Sequence, residues 1–271
     1  MESVLAVREA SVGYGGSPVV KGVDFCIPSG QISVLIGANA CGKSTLLKAM
    51  ARLLKPTSGE ITLNGTRIDK ISTKALARQL GLLPQTPIAP EGITVSELVG
   101  RGRFPHRSFL RGFTKEDYTA VAESMDSMKV SDLADRSVDE LSGGQRQRVW
   151  IAMALAQRTD ILLLDEPTTY LDVAHQIEIL DMLTQLNRSR GTTIVMVLHE
   201  VNLAARYADH LFAMRDGKLA ASGSPEKIFT ESLVKDVFSL ESVVSPDPVS
   251  GMPMMFPRGR YHSESILRKN I

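Results

Sequence analysis

Residues Gly37 to Thr45 read Gly-Ala-Asn-Ala-Cys-Gly-Lys-Ser-Thr, which fits G-x-x-x-x-G-K-[ST], the phosphate-binding P-loop. An apolar run, Ile32 to Ile36, precedes it and reads as a buried parallel strand. Leu46 to Leu54 follows with helical periodicity. Strand, glycine-rich turn and helix in that order restrict the chain to an α/β fold. Gly37 and Gly42 permit a tight turn and let backbone N–H groups approach phosphate oxygens. The following helix aims its positive N-terminal end at the same place. In such a loop Lys43 reaches the β- and γ-phosphates and the Ser44 hydroxyl ligates Mg²⁺. The competing reading, a chance match in a Gly-rich turn, does not account for the two flanks.

Composition narrows the setting. A chain of 271 residues buries a large core in one or two domains. With 43% apolar residues and a formal net charge of +1, no global field invites nucleic acid. Two cysteines, Cys26 and Cys41, make neither a disulfide framework nor a zinc site, so a reducing compartment is expected. No apolar run approaches the roughly 18 to 20 residues that cross a bilayer. Met1 to Ala10 carries charges and lacks a signal-peptide core. The expectation is a cytosolic protein whose membrane role, if any, comes through a partner.

Taken in order, Leu5 to Arg8 and Val19 to Ile27 read as strands around the turn-rich stretch Gly13 to Pro18. Tyr14 sits in that turn, where an aromatic can stack on a nucleobase or be an ordinary loop tyrosine. Asn64-Gly65 inside Ile61 to Ile68 signals a hairpin. Leu80 to Pro84 reads as a core strand that hands over at Gln85 to a different region. From Thr94 to Met153 the periodicity is mainly helical, with helices at Val95–Gly100, Thr114–Met128 and Gln145–Leu155. Thr114 with Asp117 suits an N-cap. Ile161 to Glu166 is an apolar strand ending in two carboxylates. Val173 to Arg188 reads as a helix, Thr192 to Leu198 as a strand ending at His199, and Asn202 to Asp209 as helical. Asp216-Gly217 signals a second hairpin. Ser245 to Ile271, rich in Pro, Gly and Met, reads as a loosely packed tail. The predicted architecture is a parallel α/β core, an antiparallel N-terminal sheet and an inserted helical region.

Leu141-Ser-Gly-Gly-Gln145 adds small residues, amides and a hydroxyl at a helix start, a second anion-binding device far from the first. The P-loop, Gln85, Leu141 to Gln145, Ile161 to Glu166 and His199, in this order, resemble the ATP-binding subunit of ABC transporters. The resemblance covers Val4 to about Phe238. It implies an ATPase domain over residues 1–240, a helical subdomain at about 88–155, and a tail over 241–271. It implies ATP and Mg²⁺ as cofactors. Tyr14, Gly37, Asn39, Ala40, Cys41, Gly42, Lys43, Ser44 and Thr45 would hold nucleotide, as would Ser142, Gly143, Gly144 and Gln145. Ser44, Gln85 and Asp165 would serve the metal. Glu166 resembles the general base, Gln85 the Q-loop glutamine, His199 the switch histidine, and Leu171-Asp172 the D-loop. Two carboxylates in succession leaving a strand point opposite ways, which suits two jobs.

In this family two subunits sandwich two ATP molecules head to tail. The expected partners are therefore a second copy of the chain and transmembrane permease subunits, with a substrate-binding protein involved indirectly and no nucleic acid. The expected place is the cytoplasmic face of the membrane, held peripherally. Gly100 to His106, Asp165 to Asp172 and Tyr207 to Asp209 after Asn202 are similar to stretches of the iron–siderophore, haem and cobalamin importer branch. The resemblance thus implies ATP-driven import, with an iron–siderophore complex as cargo. A soluble ABC ATPase acting on nucleic acid or ribosomes is the alternative. So is a regulatory module, which would lack Glu166 or His199.

The sequence departs from the family at Ala38 and Ala40 of the loop, and at Glu200-Val201 after His199. Alanine at 40 would be strained if that position needs φ > 0. Cys41 is either a reactive thiol, its pKa lowered by Lys43 and the helix end, or simply a small residue. Met254 to Phe256 either packs the tail onto the core or forms a partner surface. Arg101 to Phe113 alternates Arg101, Arg103, Arg107 and Arg111 with Phe104, Phe109, Leu110 and Phe113. It reads as the permease contact, or as a basic loop with its rings tucked inward.

Overall fold

The structure, a computed structural model, describes residues 3–107 and 112–259. Alternating apolar residues build the first layer. In β1 (Ser3–Val12), Leu5 and Val7 are sealed from solvent, and in β2 (Val20–Pro28) so are Val20 and Ile27. With β4 (Ser58–Leu63) and β5 (Thr66–Arg67) they form an antiparallel sheet in the order β2-β1-β4-β5. The turn between the last two uses Asn64 at φ 48° and Gly65 at φ 76°, the paired positive angles of a type I′ hairpin.

The second sheet is parallel but for one edge. Its order is β10-β9-β3-β8-β7-β6, from β3 (Ile32–Gly37), β6 (Leu80–Leu83), β7 (Ile161–Asp165), β8 (Thr193–Val197), β9 (His210–Arg215) and β10 (Lys218–Gly223). Every residue of β3, β7 and β8 is buried, as expected for strands covered on both faces. The pleat divides β3 between two cores. Leu35 packs with Phe212, Met214 and Leu47 of α1 (Lys43–Met50), beneath the N-terminal sheet. Val34 and Ile36 pack on the other side with Leu180 and Leu183 of α6 (Val173–Arg190). That helix starts on an Asp172 N-cap and stops at Gly191, φ 68°.

Between β6 and β7 the chain leaves the sheet. After the short α2 (Thr73–Ala77), which precedes β6, the described residues beyond that strand form three α-helices: α3 (Val95–Arg101), α4 (Lys115–Ser127) and α5 (Gly143–Ala156). Each of the three opens on a complete capping box: Thr94 with Glu97, Thr114 with Asp117, and Ser142 with Gln145. The third helix therefore begins at Gly143, two residues before the start expected from periodicity. Gly102 lets α3 end flush on α5, since a Cβ there would lie 2.1 Å from the Met153 carbonyl oxygen. One ion pair locks the group. Arg103 and Asp117 are 2% and 4% exposed and 2.8 Å apart, and Arg103 also donates to the Ala156 carbonyl at 2.9 Å. Arg103, expected as one of the surface arginines, is thus an internal strut.

The C-terminal part corrects the expectation of a loose tail. After α7 (Val201–Tyr207), β9 and β10 come α8 (Pro225–Ile228) and α9 (Glu231–Phe238). Then β11 (Ser242–Pro246) and β12 (Pro253–Pro257) pair antiparallel as a hairpin on α7 and α9. The prolines stand at strand ends and Gly251 (φ 74°) in the turn, so that composition marks where pairing stops. Met255 packs against the core and Phe256 is 44% exposed. Residues 260–271, the rest of the predicted tail, lie outside the described residues.

Burial alone would push the Asp117 carboxyl up. The Thr114 amide, the Arg103 guanidinium and the Thr114 hydroxyl outweigh it and hold the group down at about 2. Its stabilising contribution is therefore full above about pH 4 and lost as pH falls through about 2. Asp117→Ala leaves Arg103 buried and unpaired, which should cost about 3–5 kcal/mol in urea unfolding at neutral pH. A loss under about 1 kcal/mol would mean that the pair does not hold the helical group together.

Candidate functional site

The phosphate loop leaves β3 at Gly37, whose φ of 153° and crowding admit no side chain. A Cβ there would lie 2.4 Å from the Met214 carbonyl oxygen and 2.7 Å from Cys41 Sγ. Gly42 (φ 105°) is the N-cap of α1 and offers no side chain over the helix end. The first turn of α1 holds no acidic residue, so its positive end stays uncompensated. Ala40 adopts φ 61°, and the strain raised by the sequence is present, at about 1–2 kcal/mol. Lys43 is 5% exposed, and its Nζ donates to the Gly37 and Ala38 carbonyls at 2.9 and 3.0 Å. The ammonium is thereby tucked beneath the loop. Cys41 is buried against Gly37, with its Sγ 3.8 Å from Lys43 Nζ.

The two carboxylates diverge. Ser44 Oγ donates to Asp165 Oδ1 at 2.8 Å, tying α1 to the end of β7. Asp165 is 2% exposed, and its Oδ2 is buried without a hydrogen-bond partner. Burial pushes this carboxyl above its ordinary value, with the Glu166 charge adding to it and the Ser44 hydrogen bond opposing it. Glu166 takes the left-handed φ of 56° and swings its side chain the other way. Its Oε2 accepts from Gln85 Nε2 at 2.6 Å and from Thr169 Oγ1 at 3.0 Å. Its Oε1 lies 2.5 Å from His199 Nε2. These groups stand at the carboxyl ends of β6, β7, β8 and β3, where open α/β sheets bind ligands.

Above them opens a cavity of about 590 Å³. Asn39, Ala40, Gly42, Lys43, Ser44 and Thr45 line one wall, and Gln85, Glu166 and His199 face them. Tyr14 closes one end, 63% exposed, with its hydroxyl 3.4 Å from Thr45 Oγ1. Gly37, Cys41 and Asp165 lie outside the cavity lining. Val19, Thr169 and Tyr170 also line it, and the sequence reading assigned them no role. For Thr169 a signal existed: a hydroxyl three residues after Glu166, in the loop before a helix, is placed to turn back onto the carboxylate.

Ser142 to Gln145 does not line this cavity. The motif is itself the first turn of α5. Ser142 Oγ accepts from the Gln145 amide at 3.3 Å, and Gln145 Oε1 accepts from the Ser142 amide at 3.1 Å. Gly144 packs under His175, where a Cβ would come within 2.9 Å of Cδ2. On the helical group a shallow groove of about 370 Å³ runs between Gly100, Phe104, Phe113 and Tyr118. Arg107 lies over the rings of Phe104 and Phe113, 5.6 and 4.9 Å from their centroids. Phe104 is 55% exposed, whereas Phe113 is half-buried against the core. Phe109, Leu110 and Arg111 lie outside the described residues.

A buried parallel strand, a glycine-framed loop, a sheltered lysine and paired carboxylates at the end of the next strand but one define a nucleoside triphosphatase of the P-loop class. Residues 20–169 match the ABC transporter family model. Among curated relatives, the ferric enterobactin transport ATP-binding protein FepC of Escherichia coli is 48% identical over 96% of each chain. The iron(3+)-hydroxamate import ATP-binding protein FhuC of Bacillus subtilis is 45% identical, over 92% of this chain and 93% of its own. Among solved structures, the dimeric bacterial ABC transporter cassette MJ0796 superposes with a TM-score of 0.72. It is 28% identical, over 81% of this chain and 98% of its own. The chain belongs to the ABC transporter family, as an ATP-binding subunit that hydrolyses ATP to power transport.

A buried carboxylate with an unpartnered oxygen and an upshifted pKa burdens the fold. Asp165→Asn keeps the shape and the Ser44 hydrogen bond while removing the charge. It should raise the melting temperature measured without nucleotide or metal at pH 7, by a few °C if about 1 kcal/mol is recovered. It should also abolish Mg²⁺-dependent ATP hydrolysis. A lower melting temperature would show that the charge stabilises this site.

Proposed function

We propose that this chain drives import of an iron(III)–siderophore complex through a membrane permease, using ATP held between two copies of itself. The observation that carries the catalytic reading is the convergence of Gln85, Thr169 and His199 on Glu166, across the cavity from the phosphate loop. The iron-chelate cargo is supported by the names of the two relatives, one transporting ferric enterobactin and one importing iron(3+)-hydroxamate.

In this reading the loop amides from Asn39 to Thr45 hold the phosphates. Lys43 exchanges the Gly37 and Ala38 carbonyls for phosphate oxygens, and Tyr14 stacks on the base. The unpartnered Asp165 Oδ2 beside Ser44 Oγ fits a Mg²⁺ ion, with Gln85 able to swing toward it. Bound there, the ion would neutralise charge on the β- and γ-phosphate oxygens. Glu166 accepts a proton from the attacking water. His199 and Gln85, which hold Glu166 in this structure, are the groups that would turn toward γ-phosphate and metal when nucleotide enters.

Ser142, Gly143, Gly144 and Gln145 stand away from this cavity, which supports a site completed by another copy of the chain. A γ-phosphate needs donors on all sides, and one loop covers one side. The dimeric cassette gives the pairing a precedent in the family. The groove at Gly100, Phe104, Phe113 and Tyr118 is our candidate permease contact, with a substrate-binding protein acting on the permease. Among the described residues no helix is long and apolar enough to cross a membrane. We assign the subunit to the cytoplasmic face of the membrane, held there by the permease.

Glu166→Gln should bind Mg-ATP normally and lose about 10²- to 10⁴-fold in turnover. An ATP-locked dimer should then accumulate on gel filtration. A monomer with intact nucleotide binding would refute the shared site.

Phe104→Ala should leave the ATPase of the isolated subunit within about twofold. Permease binding should weaken by about 2 kcal/mol, and uptake of iron-loaded siderophore should fall with it. Uptake at the wild-type rate would exclude this groove as the contact.

A further inference from the structure

His199 sits on a short connection between β8 and α7, and α7 is poorly equipped to hold it. The helix has seven residues, too few to be stable alone. Its N-cap, Glu200, makes no side-chain capping bond, and its fully buried side chains are two alanines, Ala204 and Ala205. The far end is well anchored. Tyr207 donates its hydroxyl to Asp181 of α6 at 2.8 Å, and Asp209 accepts from the Ile32 amide at 2.8 Å and from Arg188 at 2.6 Å. The end nearer His199 is held by the C-terminal hairpin, whose β12 packs on α7.

The contact is specific. The Asn202 side-chain amide pairs with the Met255 backbone as a neighbouring strand would. Its Nδ2 donates to the Met255 carbonyl at 3.0 Å, and its Oδ1 accepts from the Met255 N–H at 2.8 Å. One helical turn on, on the same face of α7, Arg206 Nε donates to Asp247 Oδ2 at 2.9 Å. Asp247 is in turn fixed by the Ser250 hydroxyl at 2.6 Å and the Val249 amide at 3.0 Å. The rungs lie where β12 and the turn after β11 meet the helix, and the first stands three residues from His199.

We propose that the β11–β12 hairpin is a clasp for the switch histidine, and that Asn202 is a positioning residue for ATP hydrolysis acting through His199. This rests on the role given above to His199. The hairpin then does more than cover apolar surface. It sets the height and tilt of α7, and so the distance from His199 Nε2 to the reacting phosphate. A misplacement of about 1 Å at a catalytic group can cut a rate by about 10²-fold without touching binding.

The test is a double-mutant cycle on the full chain, read by steady-state ATPase with Mg-ATP. Asn202→Ala should lower kcat about tenfold while KM stays within about twofold, because the phosphate loop is untouched. Asn202→Asp, of the same shape, keeps the bond from the Met255 N–H but faces its carbonyl with an acceptor. It should lose activity to a smaller degree, and it carries the test should Asn202→Ala fail to fold. In a His199→Ala background either change should lower kcat no further. Wild-type kcat in the Asn202 variants, beside a slow His199→Ala, would overturn the clasp alone. Equal losses with and without His199 would do the same, as would a rise in KM matching the fall in kcat. Wild-type kcat in His199→Ala would overturn both the clasp and the switch on which it rests.

Discussion

A phosphate loop has to crowd backbone N–H groups around an anion without letting side chains in, and the rest of this structure depends on that demand. The loop can be sharp only if the strand feeding it is rigid. Here β3 is buried along its whole length between β8 and β9. It can be dense only where glycine relieves contact. Gly37 lies under the Met214 carbonyl of β9, so the neighbouring strand itself sets which residue begins the loop. Ala40 shows the demand from the other side. Its left-handed backbone is strained, and the structure keeps it because the loop geometry leaves no alternative.

Parallel pairing then delivers the chemistry. Strands β6, β7, β8 and β3 run side by side in one direction, so the residues leaving them arrive at one edge of the sheet. Gln85, Asp165, Glu166, His199 and the phosphate loop are far apart in sequence and adjacent only because of that register. The left-handed turn at Glu166 separates the two carboxylates. It leaves Asp165 in the floor with Ser44 and lifts Glu166 among Gln85, Thr169 and His199. Burial acts differently on the two. Asp165 is sealed with one oxygen unpartnered, an arrangement that a dication would relieve. Glu166 is surrounded by hydrogen-bonding groups able to turn away, which suits the general-base role proposed for it.

What was legible in the sequence follows from how local its cause is. Strands buried on both faces show as unbroken apolar runs, and Ile32 to Ile36 and Ile161 to Leu164 were readable for that reason. Caps are also local, and Thr114 with Asp117 announced α4. The motif residues could be named because their order along the chain is itself informative. Distant partners were not readable. Arg103 looked like one arginine among several in a basic loop, and its burial depends on Asp117 and the Ala156 carbonyl. The hairpin at the C-terminus was hidden by its prolines and methionines, which suggest looseness until Asn202 and Arg206 are seen to hold it. Thr169 was visible in the sequence, but its bond to Glu166 depends on the turn that Glu166 makes.

The helical group shows why such partners matter to a transporter. Gln85 stands where the chain leaves β6 for that group, so in the reading proposed above a motion of the group relative to the sheet reaches it. A hinge transmits motion only if the body it moves is stiff. Three capping boxes, the close approach at Gly102 and the enclosed Arg103–Asp117 pair supply that stiffness. Phe104 follows Arg103 directly and Arg107 comes three residues later, so the exposed groove is tied to the strut. The same segment reaches back to the core. Arg78 donates to the Pro105 carbonyl at 2.9 Å, Lys74 to the Arg107 carbonyl at 2.6 Å, and His106 meets the Gln157 carbonyl at 2.7 Å. Lys74 and Arg78 lie just before β6, and Gln157 just after α5. A push on the groove is therefore felt at both ends of the helical group, one of them the strand that carries Gln85. Coupling by this route needs no long chain of moving side chains. In the proposed reading it would need one stiff body, Gln85 as the hinge, and the Glu166 carboxylate that Gln85 already holds.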